Sequence, residues 1–576
     1  MRQVLAGHGA SRGNALGRAR LRLPLLLDVA EDRIGLDQVD AELARLHAAV
    51  AAVRAEILAL RDRLQGALSH EVGEFIDMHS LLLDDPELLR GVEELIRKGL
   101  HSADYALRLQ RDRLAAVFAE MDDPYFRNRI DDINHVISRL HAALHKRPDG
   151  VRGVAGEVLV TDAVAPSELA QLQSQGVVAV VTTGGSTLSH SAILARSLHL
   201  PLVVGATQAL QQINDGDVLV VDGSTGQVVV EPSAADLREY RARVRDERRE
   251  RKQLHRLRRE PSRTVDGVDI RIFANAESRE DVAEAHALGA AGVGLYRTEF
   301  LFMGDTLPDE DAQFRAYRDV ALGMTGRTVT IRTLDIGADK ADRTGLALAD
   351  EPNPALGLRG VRLSLARADI FETQMRAIVR ASGYGPIRVL VPMVSGREEI
   401  TATAALLKRV RRDLASEGHE IAEHIPLGAM IEVPAAAISL PGFIDAVDFL
   451  SVGTNDLVQY LLAADRNNEA LGELYTPLHP AVLRLLESVI RIARRRAKPL
   501  AMCGEMAGDA RFAPLLLALG LEEFSLHPGT LLEVRRAIRA CDLGTLRARA
   551  PALLRARDRA GIEKWMRANA PEGAGA

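Results

Sequence analysis

Apolar residues recur at alternating steps of four and three between Val39 and Leu64. This spacing predicts a long helix that packs along one seam against a neighbour. Further helical patterns, separated by turn signals, run through residues 75–83, 105–118 and 130–144. The pattern therefore predicts a helical bundle over roughly residues 39–144, preceded by short strands joined by glycine turns.

The pattern changes after Gly153, where short β-branched runs alternate with short helical segments up to Val230. These runs are EVLVTD, VVAVVTT, PLVVGA and DVLVVDG, and they predict an α/β domain. Residues 236–260 follow, rich in arginine mixed with aspartate and glutamate, and Pro261 ends them. Because acids interleave with the bases and the apolar stripe is sparse, we interpret this segment as a solvated spacer helix rather than a nucleic-acid-binding stretch.

The rest of the chain contains eight patterns in which a predicted strand precedes a predicted helix. The strands are DIRIFANA, GVGLYRTEF, TVTIRTLDI, RVLVPMV, GAMIEVP, DFLSVGTND, PLAMCGE and EEFSLHP. Eight such units predict a (β/α)8 TIM barrel, whose active site forms where the strands end. A doubly wound open sheet is the alternative, but nothing like a glycine-rich dinucleotide turn supports it.

Composition narrows the class of protein without indicating its chemistry. The chain has 576 residues, too many for a single core, so several domains are expected. A net charge of -6 gives no electrostatic case for binding nucleic acid or an acidic membrane. Two cysteines give no disulfide framework, and no apolar run has the length of a signal-peptide core or a membrane span. We therefore expect a cytoplasmic protein.

His190 follows a predicted strand and a glycine turn, at the start of a short predicted helix that Pro201 ends. The positive end of a helix dipole and its free backbone N–H groups disfavour imidazolium and favour a bound phosphoryl group. A neutral imidazole has the lone pair that can attack phosphorus. The alternative, for this histidine taken alone, is a helix cap or a surface residue.

The residues from Gly185 to Arg196 resemble the phosphohistidine signature of phosphoenolpyruvate-utilising enzymes. That signature consists of a glycine pair, the histidine, small residues, an apolar pair and Ala-Arg. Ser186 stands where a second glycine is usual, and Leu188 stands where threonine is usual. Ala165 occupies a position where threonine is often found near the histidine. These departures leave the nucleophile in place.

Phosphoenolpyruvate carries a carboxylate and a phosphate, so its site needs several cations. The planar fork of arginine suits both groups. Arg297 and Arg332 fall at predicted strand ends, where a barrel places its chemistry. Arg359 and Arg466 are further candidates. The alternative for each arginine alone is a structural salt bridge.

Glu432 and Asp456 end two consecutive predicted strands. Two carboxylates on one rim could hold Mg²⁺, which prefers oxygen ligands and leaves places for substrate oxygens. Asn455 could donate a hydrogen bond to the phosphate. The alternative is that Asn455 or Asp456 caps the helix that follows.

Cys503 ends the next predicted strand. A lone cysteine is usually a small buried hydrophobic residue, which is what we expect of Cys541. Loss of phosphate from phosphoenolpyruvate leaves enolpyruvate, which needs a proton on carbon to become pyruvate. The thiol of Cys503 could be that general acid.

As a set, the segments GLYRTEFLFM, RTLDIGADK, EPNPALGLR, SVGTNDLVQY and MCGEMAGD resemble Enzyme I of bacterial phosphotransferase systems. The resemblance covers essentially the whole chain, with Ala338 in place of a glycine common in the family. It implies that Arg297, Arg332, Arg466 and Asn455 bind phosphoenolpyruvate, that Glu432 and Asp456 bind Mg²⁺, and that Cys503 donates a proton. It also implies a phosphohistidine α/β domain at residues 1–23 and 145–232, a carrier-binding helical subdomain at 24–144, a linker helix at 233–260 and a phosphoenolpyruvate-binding barrel at 261–576.

The resemblance further implies transfer of the phosphoryl group to His190 and then to a histidine of HPr or an HPr-like carrier, with release of pyruvate. It implies a mobile His190 domain and a homodimer formed through the barrel. One alternative is an ATP-linked synthase or dikinase, but nothing before Gly153 resembles a nucleotide-binding domain. A non-catalytic regulatory scaffold is another, and the intact histidine, carboxylates and thiol argue against it. The sequence leaves open whether the pathway is sugar uptake or nitrogen-linked regulation.

Overall fold

The computed structural model describes residues 2–22, 31–63, 82–83, 86–119, 133, 136–145, 155–164, 166–185, 189–198, 200–303, 306–337, 346, 351–466, 468 and 471–570. The chain divides into two compact units, Met1–Arg249 and Glu250–Ala576. Most of the predicted helix over residues 75–83 lies outside the described residues, as do the positions at which the sequence departs from the family: Ala165, Ser186, Leu188 and Ala338.

The first unit contains an eight-stranded mixed sheet. Its strands are β1 (Gln3–Ala6), β2 (His8–Ser11), β3 (Asn14–Arg22), β4 (Glu157–Thr161), β5 (Ala179–Thr182), β6 (Leu202–Val204), β7 (Val218–Asp222) and β8 (Gln227–Val230). They lie in the order β1-β8-β7-β3-β4-β5-β6-β2, and β3 to β6 run parallel. The short β-branched runs therefore form strands as predicted, and the predicted α/β class is confirmed.

Helices pack on both faces of this sheet. They are α1 (Val39–Arg63), α2 (Pro86–Arg97), α3 (Ala103–Ala119), α4 (Pro166–Ser174), α5 (His190–Ser197) and α6 (Ala209–Gln212), with a further helical stretch at 136–144. The predicted long helix is present as α1, and its seam residues Leu46, Val53 and Ile57 are almost fully buried. The bundle shares one apolar core with the face of the sheet where Leu159 and Val180 lie, whereas Ala209 of α6 packs with Val158 and Val181 of the other face. The helical insert is thus packed on the α/β layer.

The arginine-rich segment is a helix, α7 (Ala234–Arg256), followed by a 3₁₀ turn at Leu257–Arg259. Arg243 on this helix pairs with Glu239 one turn earlier, at 2.7 Å. Such (i, i+4) pairs stabilise a solvated helix by a few tenths of a kcal/mol each, about 0.2–0.5. The prediction of a solvated helix in this segment is confirmed.

The second unit is a closed barrel of eight parallel strands. The strands are β9 (Arg271–Ala276), β10 (Gly292–Tyr296), β11 (Thr328–Arg332), β12 (Ile387–Val391), β13 (Leu427–Ile431), β14 (Phe449–Val452), β15 (Leu500–Met502) and β16 (Glu523–Leu526). All eight predicted strands are present, and β16 pairs with β9 to close the ring. Strands covered on both faces appear in sequence as nearly continuous apolar runs, as in VLV of β12. The closed ring excludes the open-sheet alternative.

Helices surround the barrel and shield its outer face. They are α8 (Arg279–Ala287), α9 (Glu310–Gly323), α10 (Val361–Ala366), α11 (Ala368–Ala381), α12 (Arg397–Ser416), α13 (Pro434–Ser439), α14 (Thr454–Leu462), α15 (Pro480–Arg495), α16 (Glu505–Gly508), α17 (Ala513–Leu519), α18 (Leu531–Arg539), α19 (Leu543–Leu554) and α20 (Arg559–Ala568). Short 3₁₀ turns occur at Glu299–Phe302, Pro354–Leu356, Ser382–Tyr384, Leu440–Gly442, Ile444–Ala446, Ala510–Phe512 and Pro528–Thr530. Local sequence starts several of these helices, for example the capping box of Ser278 and Asp281 at α8. Throughout the described residues, every helix is too short or too polar to cross a bilayer.

Candidate active site

The predicted site residues of the second unit gather where the barrel strands end. Arg332 is the last residue of β11, and Arg297, Glu432 and Cys503 each come directly after a strand. Asp456 lies in the first turn of α14, just beyond β14. Because the carboxyl ends of parallel barrel strands face the same way, these side chains share one rim.

Two arginines on this rim are locked into a network of carboxylates. Arg332 contacts Glu299 at 3.0 Å and Asp335 at 3.3 Å. Arg359 contacts Asp335 at 2.9 Å and Asp456 at 3.5 Å. Their side chains are only 11% and 14% exposed, so these charges are largely desolvated. Burial acts to lower the pKa of both guanidinium groups, but the surrounding carboxylates outweigh it and raise each pKa, so both stay cationic.

Some polar atoms in this region have no partner among the described residues. Arg332 Nε and Thr454 Oγ1 are both buried, and neither makes a hydrogen bond within that part of the chain. Buried donors in folded proteins are nearly always paired, so such atoms indicate a site for a ligand or an ordered water. An anionic ligand with several oxygens would satisfy the guanidinium donor.

Glu432 is the most strongly perturbed carboxylate of the rim. It is 1% exposed, and its Oε1 accepts a hydrogen bond from the backbone N–H of Met393 at 2.6 Å. Burial raises the pKa of Glu432 to about 8, with repulsion from Asp335 and Asp456 adding to the effect and Arg332 opposing it. Met393 adopts a φ of 56°, a left-handed conformation unusual for a non-glycine residue, and such strain is common at functional sites. The arrangement of mutually repelling oxygen donors suits a hard divalent cation.

The capping alternative for Asn455 and Asp456 is wrong in the structure. Helix α14 begins after Gly453, and no side chain caps it. The Asn455 amide instead bonds to Glu505, donating to Oε1 at 3.0 Å and accepting from the Glu505 backbone N–H at 2.9 Å. Tyr475 donates its hydroxyl to the Asn455 carbonyl at 3.2 Å. Asn455 is therefore fixed on the rim, and Asp456 is left to face Arg359.

Arg297 and Arg466 are exposed, unlike the two buried arginines. Arg297 forms an ion pair with Glu277. This is the salt bridge that we gave as the alternative role of a lone arginine. The backbone N–H of Arg466 donates to Gln459 Oε1 at 3.1 Å, which anchors the chain beyond α14. Both side chains can therefore reorient toward a ligand without breaking the buried network.

Cys503 is buried in the barrel interior with Leu295, Leu390, Met430 and Phe449. Its sulfur accepts a hydrogen bond from the hydroxyl of Ser451 at 3.2 Å and lies 3.5 Å from the carbonyl of Val452. Burial raises the pKa of the thiol, and the Ser451 hydrogen bond only partly offsets this. The group therefore carries its proton at neutral pH.

Two other residues define the surroundings of this thiol. A side chain at Gly504 would place a Cβ 1.8 Å from Thr454 Oγ1, so only glycine allows the two segments to approach this closely. Asn275 donates its amide to the Cys503 carbonyl at 3.0 Å and fixes the end of β15. Cys541, by contrast, is buried on α18's C-terminal side with its sulfur on the Ala537 carbonyl, as expected for a structural cysteine.

His190 is the first residue of α5 in the first unit, at the helix start that the sequence predicts. The hydroxyl of Ser189 accepts the Ala192 N–H at 3.2 Å and caps the helix. Ser191 donates to the Val164 carbonyl at 2.6 Å and ties the first turn of α5 to the segment that follows β4. The helix ends at Ser197, earlier than the predicted end at Pro201, because the chain must straighten before β6.

Sequence reasoning missed the carboxylates that hold the arginines. Glu299 and Asp335 lie in the segments RTEF and RTLD, close behind Arg297 and Arg332. The backbone N–H of Asp335 also donates to Glu299 Oε1 at 3.1 Å, which links the two loops. Both acids follow closely after an arginine at a predicted strand end, and this pattern could have indicated them as site residues. Tyr460, whose hydroxyl lies 3.3 Å from Arg359 Nη1, had no comparable signal.

Three family models match consecutive parts of the chain. They are the N-terminal domain of phosphoenolpyruvate-utilising enzymes at residues 6–129, the mobile domain at 153–226 and the phosphoenolpyruvate-binding domain at 251–543. The last match alone spans more than half of the chain and contains the whole barrel rim. Barrel, rim and matches together define a phosphoenolpyruvate-utilising enzyme.

Sequence identity to curated relatives shows which family within this class the chain belongs to. The chain is 46% identical over 550 residues to the phosphoenolpyruvate-protein phosphotransferase of Cupriavidus necator, covering 93% of this chain and 94% of that protein. It is 40% identical over 541 residues to that of Geobacillus stearothermophilus (93% of each chain) and 39% identical over 541 residues to that of Staphylococcus aureus (93% and 94%). The chain belongs to the phosphoenolpyruvate-protein phosphotransferase family. It is an enzyme that transfers a phosphoryl group from phosphoenolpyruvate to protein, in a class that generally uses a metal ion.

Proposed function

We propose that the enzyme transfers the phosphoryl group of phosphoenolpyruvate to its own His190 and then to a histidine of HPr or an HPr-like carrier, releasing pyruvate. The observation that carries this proposal is the rim of the barrel. It combines buried cations, paired carboxylates and a protonated thiol at one place, and these are the groups that the first half of the reaction needs.

His190 is the residue that takes the phosphoryl group. Its position at the start of α5 favours a neutral imidazole, whose lone pair forms the N–P bond while the bond from phosphorus to the enol oxygen breaks. The backbone N–H groups of the first turn then offer donors to the phosphoryl oxygens. The phosphoryl group must then leave His190 for the carrier, and the high-energy N–P bond allows this transfer.

The arginines of the rim bind the substrate. Arg332 is fixed by Glu299 and Asp335 and keeps a buried donor, Nε, for a ligand oxygen. Arg359 is oriented by Asp335 and contributes positive charge from within the network. The exposed Arg297 and Arg466 complete the anion site, and Asn455 donates its amide to the phosphate. Such charge-assisted hydrogen bonds are worth about 1.5–3 kcal/mol each.

Glu432 and Asp456 would hold Mg²⁺. When bound, the ion would neutralise charge on the phosphoryl oxygens. Burial and mutual repulsion of these carboxylates argue for a cation, and the oxygen-only donor set argues for Mg²⁺ rather than a softer metal. An Asp456→Asn variant should need far more Mg²⁺ for half-maximal turnover of phosphoenolpyruvate. An unchanged Mg²⁺ dependence would remove Asp456 from the metal site.

Cys503 donates the proton that completes pyruvate. The S–H bond breaks as the C–H bond forms on the methylene carbon of enolpyruvate, and solvent restores the proton to the thiolate. A raised pKa suits this role, because the group must hold its proton until enolpyruvate forms. The hydrogen bond from Ser451 stabilises the thiolate that remains.

The carrier protein would dock on the helical subdomain, residues 24–144, and the barrel, residues 261–576, would form a homodimer. The phosphohistidine domain would comprise residues 1–23 and 145–232, with residues 233–260 as the linker. The resemblance to Enzyme I supports these assignments. Transfer of radioactive phosphate from the labelled enzyme to purified HPr tests the acceptor, and sedimentation equilibrium tests the dimer.

A further inference from the structure

Three potential metal ligands lie together in the helical part of the first unit, apart from the barrel. Asp104 is in the first turn of α3, His141 is in the helical stretch 136–144, and His145 follows that stretch. One ligand atom from each residue lies within 4.8 Å of the other two. Asp104 Oδ1 is 3.4 Å from His141 Nε2 and 3.0 Å from His145 Nε2.

The two distances from Asp104 Oδ1 match the spacing of ligands around a tetrahedral ion. Bonds of about 2.0–2.1 Å to Zn²⁺ place neighbouring ligand atoms about 3.3 Å apart. Asp104 Oδ1 is also buried and accepts no hydrogen bond from the described residues, although both imidazole nitrogens are near it. The carboxylate oxygen is therefore close to both imidazole nitrogens without accepting a hydrogen bond from either, as expected of ligands that face a common point.

The surroundings hold the three ligands in place. His141 and His145 are four residues apart, which puts them on one side of the helix, and their ring centroids are 4.8 Å apart. The other oxygen of Asp104, Oδ2, faces Arg45 Nη2 at 3.6 Å, and Arg45 is in turn held by Glu42 at 2.6 Å. Such outer contacts orient a ligating carboxylate.

Exposure of the cluster leaves one direction open. The side chain of His141 is 7% exposed and that of Asp104 15%, whereas that of His145 is 41% exposed. Three protein ligands with a water in the fourth position is a common zinc arrangement. A cation could thus enter from solvent past His145 and keep one water.

We propose that Asp104, His141 and His145 form a binding site for Zn²⁺ or a similar divalent transition-metal ion. Two imidazoles and one carboxylate suit Zn²⁺, whereas Mg²⁺ prefers oxygen ligands alone, so this site is chemically distinct from the carboxylates of the barrel. The bound ion would join the start of α3 to the helical stretch 136–144, and so would stabilise the helical layer. The competing explanation is an ion pair between protonated imidazoles and the carboxylate.

Equilibrium dialysis of the full-length protein against Zn²⁺, with Mg²⁺ in excess to occupy oxygen sites, tests the proposal. His145→Ala removes an exposed ligand without opening the core, and Asp104→Asn keeps the shape of the side chain. We expect wild type to bind one more Zn²⁺ than either variant, or to bind it at least about tenfold more tightly. His47→Ala is the matched control, since His47 is an exposed histidine of α1 paired with Glu93, and it should bind as wild type does.

A second measurement does not depend on counting ions. Zn²⁺ should raise the unfolding temperature of wild type and of His47→Ala, but not that of His145→Ala, because only an intact site links metal binding to folding. Co²⁺ should give the visible absorption of a tetrahedral ion in wild type and in His47→Ala, but not in His145→Ala. Equal Zn²⁺ binding by wild type and His145→Ala would overturn the proposal, and so would displacement of the ion by Mg²⁺. The ion-pair explanation predicts the first of these results.

Discussion

Asp335 holds Arg359 with both of its carboxylate oxygens: Arg359 Nη2 lies 2.9 Å from Oδ2, and Nε lies 3.1 Å from Oδ1. The same Oδ2 is 3.3 Å from Arg332 Nη1. One buried carboxylate therefore positions two of the cations that we assign to the substrate, and it does so before any substrate binds. Preorganised charge of this kind is the main means by which enzymes stabilise phosphoryl transfer.

Asp335→Asn should destabilise the second unit, because it leaves two buried guanidinium groups without their shared counter-charge. Removing one partner of a buried ion pair typically costs about 3–5 kcal/mol. The free energy of unfolding from urea titration measures the loss. Asp369→Asn is the control, since Asp369 pairs with Arg367 at the surface, and it should cost less than about 1 kcal/mol. Equal losses in the two variants would show that burial does not govern the strength of these pairs.

Arg297→Ala and Arg466→Ala should each raise KM for phosphoenolpyruvate by about tenfold or more, because each removes a charge-assisted hydrogen bond to the substrate. Both side chains are exposed, so folding should be unaffected. Steady-state kinetics at saturating Mg²⁺ provides the measurement. Arg412→Ala is the control: its side chain is 75% exposed on α12, and its KM should be that of wild type. Unchanged KM values in the first two variants would remove those arginines from the substrate site.

Cys503→Ser should lower kcat by about 10²–10⁴-fold, the usual contribution of a general acid, while the Kd of phosphoenolpyruvate changes little. A serine hydroxyl is a much weaker acid than a thiol, although it fills nearly the same volume. Cys541→Ser should turn over normally, since Cys541 is buried away from the rim. Rapid turnover by Cys503→Ser would show that another group protonates enolpyruvate.

Burial also predicts how the two thiols respond to pH. The pKa of Cys503 is raised above its usual value of 9.0, and that of Cys541 is raised to about 11. Above about pH 9 the unfolded chain loses these protons while the folded protein keeps them, so stability falls as pH rises through the unfolded pKa toward the folded one. Urea titrations at pH 8 and pH 10 measure this. The Cys503→Ser/Cys541→Ser double variant should lose less stability over that interval, and an equal loss would contradict the shifts.

Much of the barrel could be predicted from sequence because its strands are covered on both faces and so appear as apolar runs of five or so residues. Once the strands are placed, a parallel barrel puts every strand end on one rim, which is why Arg332, Glu432 and Cys503 could be grouped without a structure. The start of the helix at His190 could also be predicted, since a glycine turn and a serine cap precede it.

Side-chain pairing could not be predicted in the same way. The contact of Asp335 with Arg359 joins residues that are 24 apart in the chain, and no periodicity connects them. Whether Asp456 caps α14 depends on where that helix begins, which the sequence did not fix to the residue. In the structure α14 begins at Thr454, so Gly453 occupies the capping position. The contact between Asp104 and His141 could not be predicted either, because these residues are far apart in the chain and their contact depends on how separate helices pack.

The assignment of His190 as the phosphoryl acceptor is tested with radioactive phosphoenolpyruvate and Mg²⁺, by following label into wild type, His190→Ala and His8→Ala. His8 lies exposed on β2 and controls for the loss of any one histidine from the same domain. We expect acid-labile, base-stable label on wild type and on His8→Ala, with none on His190→Ala. Label of the same stability on His190→Ala, or none on a wild-type protein that binds the substrate, would contradict the assignment.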